Sequence, residues 1–86
     1  MQERPYNDGL SWTLLAVYAC DDDADCGYQN VYRAFIPDTT GTVTVRLASG
    51  GSTYAIPVVA GAVYPIHNIY SFDATDTDST NVVLLG

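Results

Sequence analysis

TGTVTVRLASGGSTYAIPVV, residues 40–59, is the stretch that decides the fold. From Thr42 to Ala48 apolar and polar residues alternate. Val43, Val45 and Leu47 point one way; Thr42, Thr44 and Arg46 point the other. A period of two is the signature of a strand with one face buried. Ser49-Gly50-Gly51-Ser52 supplies a hairpin turn, because glycine reaches positive φ without steric cost. Thr53–Val59 returns with Tyr54, Ile56 and Val58 on one side. Pro57 has no N–H to give a ladder, so this second strand is expected at a sheet edge or bulged there.

Outward from this hairpin the chain continues in the same style. Leu10–Ala19 offers a partial helical stripe at Leu10, Leu14 and Val17. Its Trp, Thr, Val and Tyr content, with no helix cap nearby, favours a strand. Tyr28–Ile36 is rich in aromatic and β-branched residues and is closed by Pro37-Asp38 and Gly41. After the Ala60-Gly61 turn, Ala62–Phe72 reads as a long strand bent at Pro65. Asp73–Thr80 is a polar loop, and Asn81–Leu85 is a last strand that looks fully buried. About six strands joined by hairpins, with little or no helix, predict an all-β class: a small β-sandwich or barrel. Residues 1–9 read as a polar arm and residues 10–86 as one β-sandwich domain.

Composition narrows the function. At 86 residues the chain buries only about 60–65% of its unfolded surface, so a staple or a partner subunit is expected to help. Ten acids against three arginines, with no lysine, give a net charge of −7. That charge repels phosphate backbones and anionic lipid, which argues against nucleic-acid and membrane partners. No apolar run reaches membrane-spanning length, and MQERPYND lacks the pattern of a secretory signal. Synthesis in a cytoplasm is the expectation.

Few groups suggest chemistry. His67 is the single histidine and sits in a strand pattern. No nucleophile elbow, phosphate loop or zinc-protease motif occurs, so no enzyme and no cofactor is expected. CDDDADCG, residues 20–27, is the exception that invites a site. Asp21, Asp23 and Asp25 alternate like the first ligands of a calcium loop, but Cys26 stands where glycine is needed and Tyr32 where a bidentate glutamate is needed. Asp76 and Asp78 form only a D-x-D pair. These five are weak calcium candidates, and the solvated acidic turn is the plainer reading.

Cys20 and Cys26 do not have the spacing of a redox or zinc motif. Neighbouring carboxylates would raise a thiol pKa. A Cys20–Cys26 disulfide across a hairpin turn and two reduced thiols are both open. The tyrosines and Trp12 fill half-buried sheet faces, serve contacts between subunits, or do both. Trp12, Tyr54, Tyr64 and Tyr70 are the interface candidates.

From Tyr32 to Leu85 a particular order emerges: an R-A-aromatic strand, the arm TGTVTVRLASGG, a VVAG turn, a YPI strand and ATDTDSTNVVLL near the end. This resembles the small all-β virion proteins of tailed bacteriophages, nearest to the head spike base protein of gene transfer agents and related phages. The likeness covers about the C-terminal two thirds of the chain; the first 27 residues, with the acidic turn, depart from it. It implies a non-enzymatic homo-oligomer on the capsid exterior, a decoration (cement) or head spike base protein. Its partners would be the major capsid protein, copies of itself and a spike or fibre protein. The alternative is a receptor- or glycan-binding β-sandwich of a phage tail or cell surface, held by calcium.

Overall fold

A computed structural model describes residues 12–86. The expected arm, residues 1–9, and the first two residues of the Leu10–Ala19 segment lie outside the described residues. Among the described residues there are six strands and no helix: β1 (Leu14–Ala19), β2 (Ala34–Pro37), β3 (Gly41–Arg46), β4 (Thr53–Val58), β5 (Ser71–Asp73) and β6 (Asn81–Leu85). They form two antiparallel three-stranded sheets, ordered β1-β6-β2 and β4-β3-β5. The all-β expectation holds.

The hairpin of residues 40–59 folds as its pattern dictates. β3 pairs with β4 from Gly41↔Val58 to Arg46↔Thr53, and β4 is an edge strand that carries Pro57. On the core side Tyr54, Ile56 and Val58 share a face, but only Val58 is buried; Tyr54, at the far end, is exposed. Leu47 departs from the alternation. It falls beyond the end of β3 in the turn and is half exposed.

The first pair of strands corrects the sequence reading. Leu10–Ala19 and Tyr28–Ile36 were expected to form a hairpin around the acidic turn. Instead β1 and β2 lie on opposite sides of β6 and never pair with each other. The reason is the composition of β6. NVVLL presents apolar residues to both faces and takes the centre, where both backbone edges are paired and Val82, Leu84 and Leu85 are buried. Tyr28–Arg33 is not strand either. Val31 and Tyr32 N–H both return to the Tyr28 carbonyl in a tight turn.

The Ala62–Phe72 segment breaks where Pro65 intervenes. Tyr64 makes a single bridge to Phe35 of β2. The Ile66 N–H then closes onto the Tyr64 carbonyl at 2.8 Å, a γ-turn across the proline. Asn68, at φ 64°, turns the chain again. The chain thereby crosses from one sheet to the other, and only Ser71–Asp73 pairs with β3.

The core lies between the sheets. Phe35 from one and Phe72 from the other meet edge-on, with ring centroids 5.1 Å apart. Tyr18 and Tyr32 also contact Phe72, at 5.8 and 6.1 Å. Val43, Val45, Ile69, Val82 and Leu84 complete the packing. Tyr32 is buried, and its hydroxyl accepts from the Ile69 N–H at 2.9 Å, so its polar tip is satisfied inside the core.

Candidate functional site

The polar centre of the molecule is built on the outer face of β3 and β5. Thr44 stands opposite Asp73 and Arg46 opposite Ser71, so these four side chains share the face away from the core. The sequence pattern placed Thr44 and Arg46 in solvent. Here Thr44, Ser71 and Asp73 are buried. Two loops cover them.

The first cover is residues 74–80. Thr44 N–H donates to Thr77 Oγ1 at 2.8 Å, and Thr44 Oγ1 donates to the Asp76 carbonyl at 2.9 Å. Asp78 exchanges two hydrogen bonds with Thr42: its N–H donates to the Thr42 carbonyl, and its Oδ2 accepts from the Thr42 N–H at 2.7 Å. Gly41 permits that approach, since a Cβ there would overlap the Asp78 side chain.

The second cover is the acidic turn itself. Asp21 N–H donates to the Phe72 carbonyl and Cys26 N–H to the Tyr70 carbonyl, each at 2.9 Å. The turn therefore runs along the outer edge of β5, where a fourth strand would lie. Its carboxylates are used in place. Asp22 accepts from Thr75 N–H at 2.7 Å and from Thr75 Oγ1 at 2.5 Å. Both Asp23 oxygens accept from the Gly50 N–H, at 3.1 and 3.2 Å, and tie the turn to the β3–β4 hairpin. Asp25 accepts from the Gly27 N–H at 2.9 Å.

Arg46 holds this assembly together. Its Nε donates to Asp73 Oδ2 at 2.7 Å, and its Nη1 donates to the Gly51 carbonyl at 2.6 Å. Asp23 Oδ1 lies 4.0 Å from the same Nε. Asp73, nearly buried, also accepts from Ser71 Oγ at 2.6 Å and from the Asp23 N–H at 3.2 Å. The hydrogen bond to Asp73 raises the Arg46 pKa further, so the guanidinium stays charged. Sequence reasoning missed this pair. It read Asp73 as the first residue of the polar loop Asp73–Thr80, whereas Asp73 is the last residue of β5 and is buried.

No group of three or more His, Cys, Asp or Glu among the described residues is arranged to hold a metal. Asp21, Asp23, Asp25, Asp76 and Asp78 do not converge. Asp22, Asp23, Asp25 and Asp78 are engaged by N–H donors, and Asp76 contributes its backbone carbonyl.

The cysteines are free thiols, and the turn they bracket carries no staple. The reason lies in how the turn is held. Cys20 N–H bonds to the Thr80 carbonyl beside the start of β6, and Cys26 N–H to the Tyr70 carbonyl beside the start of β5, so the two cysteines are anchored to different sheets. The Cys26 thiol donates to the Ile69 carbonyl at 3.4 Å. Burial, and then the Asp38 charge, pushes the Cys20 pKa up to about 11. Burial also raises that of Cys26. Carboxylates add to the effect, as expected, but desolvation leads it.

The interface candidates sit on different elements. Trp12 precedes β1, with the Arg33 guanidinium 4.8 Å above its ring. Tyr54 is exposed on β4. Tyr64 stacks on Phe35 at 5.6 Å, and its hydroxyl accepts from the Val59 N–H, so this tyrosine serves the fold. Tyr70 is half-buried beside the end of β3, donating its N–H to the Arg46 carbonyl. His67 is exposed, and no pocket opens on the described surface.

Asp38 links the end of β2 to the start of β6 by accepting from the Thr80 and Asn81 N–H groups, each at 3.0 Å. Desolvation pushes its pKa up, but the hydrogen bond from Asn81 and those from Thr39, Thr80 and Ser79 together outweigh it and hold the carboxyl below its ordinary value. Asp22 is held low by the Thr75 hydroxyl and then the Thr75 N–H. A carboxylate with a depressed folded-state pKa stabilises above its unfolded pKa and loses that contribution as pH falls through the folded one. Urea midpoints should therefore stay level near neutrality and decline on acidification below the ordinary carboxylate range. A variant carrying Asp22→Asn and Asp38→Asn should show a shallower decline.

No family model, curated protein or solved structure matches the chain. Fold and site together define a small all-β domain whose conspicuous acidic turn is a clip along a sheet edge.

Proposed function

We propose that this chain is a non-enzymatic structural protein of a tailed-phage virion, seated on the capsid exterior as a decoration (cement) or head spike base protein. The observation that carries this reading is the likeness of Tyr32–Leu85 to such proteins. The way the domain is braced supports it. The turns at 20–27 and 74–80 are both hydrogen-bonded onto the sheets, leaving a stiff body suited to bridging shell subunits. Its partners are then the major capsid protein, further copies of itself and a spike or fibre protein. Asp21, Asp25 and Asp76 give the outward surface a negative field that favours a basic or cation-bridged contact.

The test is fractionation of purified virions with and without the gene. The protein should co-purify with particles, and its loss should lower the temperature at which capsids release DNA. Absence from particles, or unchanged capsid stability, overturns the reading.

A further inference from the structure

The two sheets have four edges, and three of them are closed to further pairing. The β2 edge is taken by Tyr64, which exchanges two backbone hydrogen bonds with Phe35, each 2.9 Å. The β5 edge is taken by the acidic turn through Asp21 and Cys26. The β4 edge carries Pro57, which interrupts a ladder. β1 is different. Among the described residues its backbone has partners only on the β6 side. It holds no charge and no proline, and Leu14 and Val17 are 63% and 62% exposed. Val17 stands opposite Val83, which stands opposite Ile36, so an apolar row crosses the outer face of this sheet.

We propose that β1 pairs with β1 of a second copy, antiparallel about a two-fold axis, joining two three-stranded sheets into one of six strands. Charge selects both the occupant and the direction. In a chain of net charge −7, β1 is a strand along which two copies meet without opposing acids. Parallel pairing would set the two acidic turns side by side. Antiparallel pairing separates them by the length of a six-residue strand, about 20 Å, more than two Debye lengths at physiological salt. A strand added at an open edge gains main-chain hydrogen bonds, and the two-fold makes the contact self-complementary. Val17 of each copy then lies against its counterpart on the outer face.

This inference stands apart from the virion reading, because it is tested on the purified full-length chain without particles. Sedimentation equilibrium should show a monomer–dimer equilibrium. Amide hydrogen exchange of Ala16–Ala19 should slow as concentration rises. Val17→Lys sets two like charges across the paired strands and should yield a monomer with unchanged far-UV circular dichroism. Tyr54→Lys, on the β4 edge, should leave the dimer intact. Three results would overturn the proposal: a monomer at every concentration, a dimer that survives Val17→Lys, or β1 protection independent of concentration. The last would mean that the edge is covered within the chain.

Discussion

Phe72→Ala should cost about 3–5 kcal/mol and lower the melting temperature by about 20 °C. Phe72 is fully buried on the three-residue strand β5, and the rings of Tyr18, Tyr32 and Phe35 all contact it. Those rings come from β1, the 28–33 turn and β2, so one side chain joins the two sheets. Removing it leaves a cavity that three large rings, each held elsewhere, close poorly. A domain this small has about 5–10 kcal/mol in total, so much of the population would unfold at physiological temperature. Thermal and urea denaturation measure the loss. Phe72→Leu, which keeps most of the volume, should retain well over half of the stability. A Phe72→Ala protein that melts like the parent would mean that the sheets are held together by other contacts.

The second large effect is at Arg46. Arg46→Met keeps the apolar stem but leaves Asp73 buried with no cation beside it, and frees the Gly51 carbonyl. Removing the cation is strongly destabilising, because the Asp73 charge stays desolvated. Arg46 itself keeps about a quarter of its side chain in water, which moderates the loss. Adding Asp73→Asn to Arg46→Met removes the stranded charge and should recover part of the loss. The double-mutant cycle thus separates the coupling from the single costs. Local opening is a second readout. In Arg46→Met, amides of residues 21–26 should exchange faster than those of β6, because the Asp23 tether shares the guanidinium and the hairpin tip. Uniform acceleration would mean that the pair supports the whole fold rather than the clip.

If the chain serves on a capsid as proposed, the clip matters there. The edge of β5 would otherwise lie open as a template for stray pairing. Closing it with a charged turn leaves β1 as the edge through which a copy is added.

Part of this protein was written in local sequence. The alternation of Thr42–Arg46, the glycines at 50 and 51 and the proline at 57 each act within a few residues. They determined the central hairpin, its turn and the edge position of β4. The end strand was legible for the same reason, and so was the polar loop read as Asp73–Thr80, except that Asp73 pairs with Thr44 as the last residue of β5. Strand partnership was not, because it is settled between residues far apart in the chain. β1 bypasses β2 to pair with β6, and Asp23 meets Asp73 across 50 residues. The acidic turn shows the difference most clearly. Its composition determined that it would be charged and a poor calcium loop. Only the tertiary structure placed it along β5, where the strand's unpaired carbonyls and the buried Asp73–Arg46 pair give its N–H groups and carboxylates partners better fixed than water.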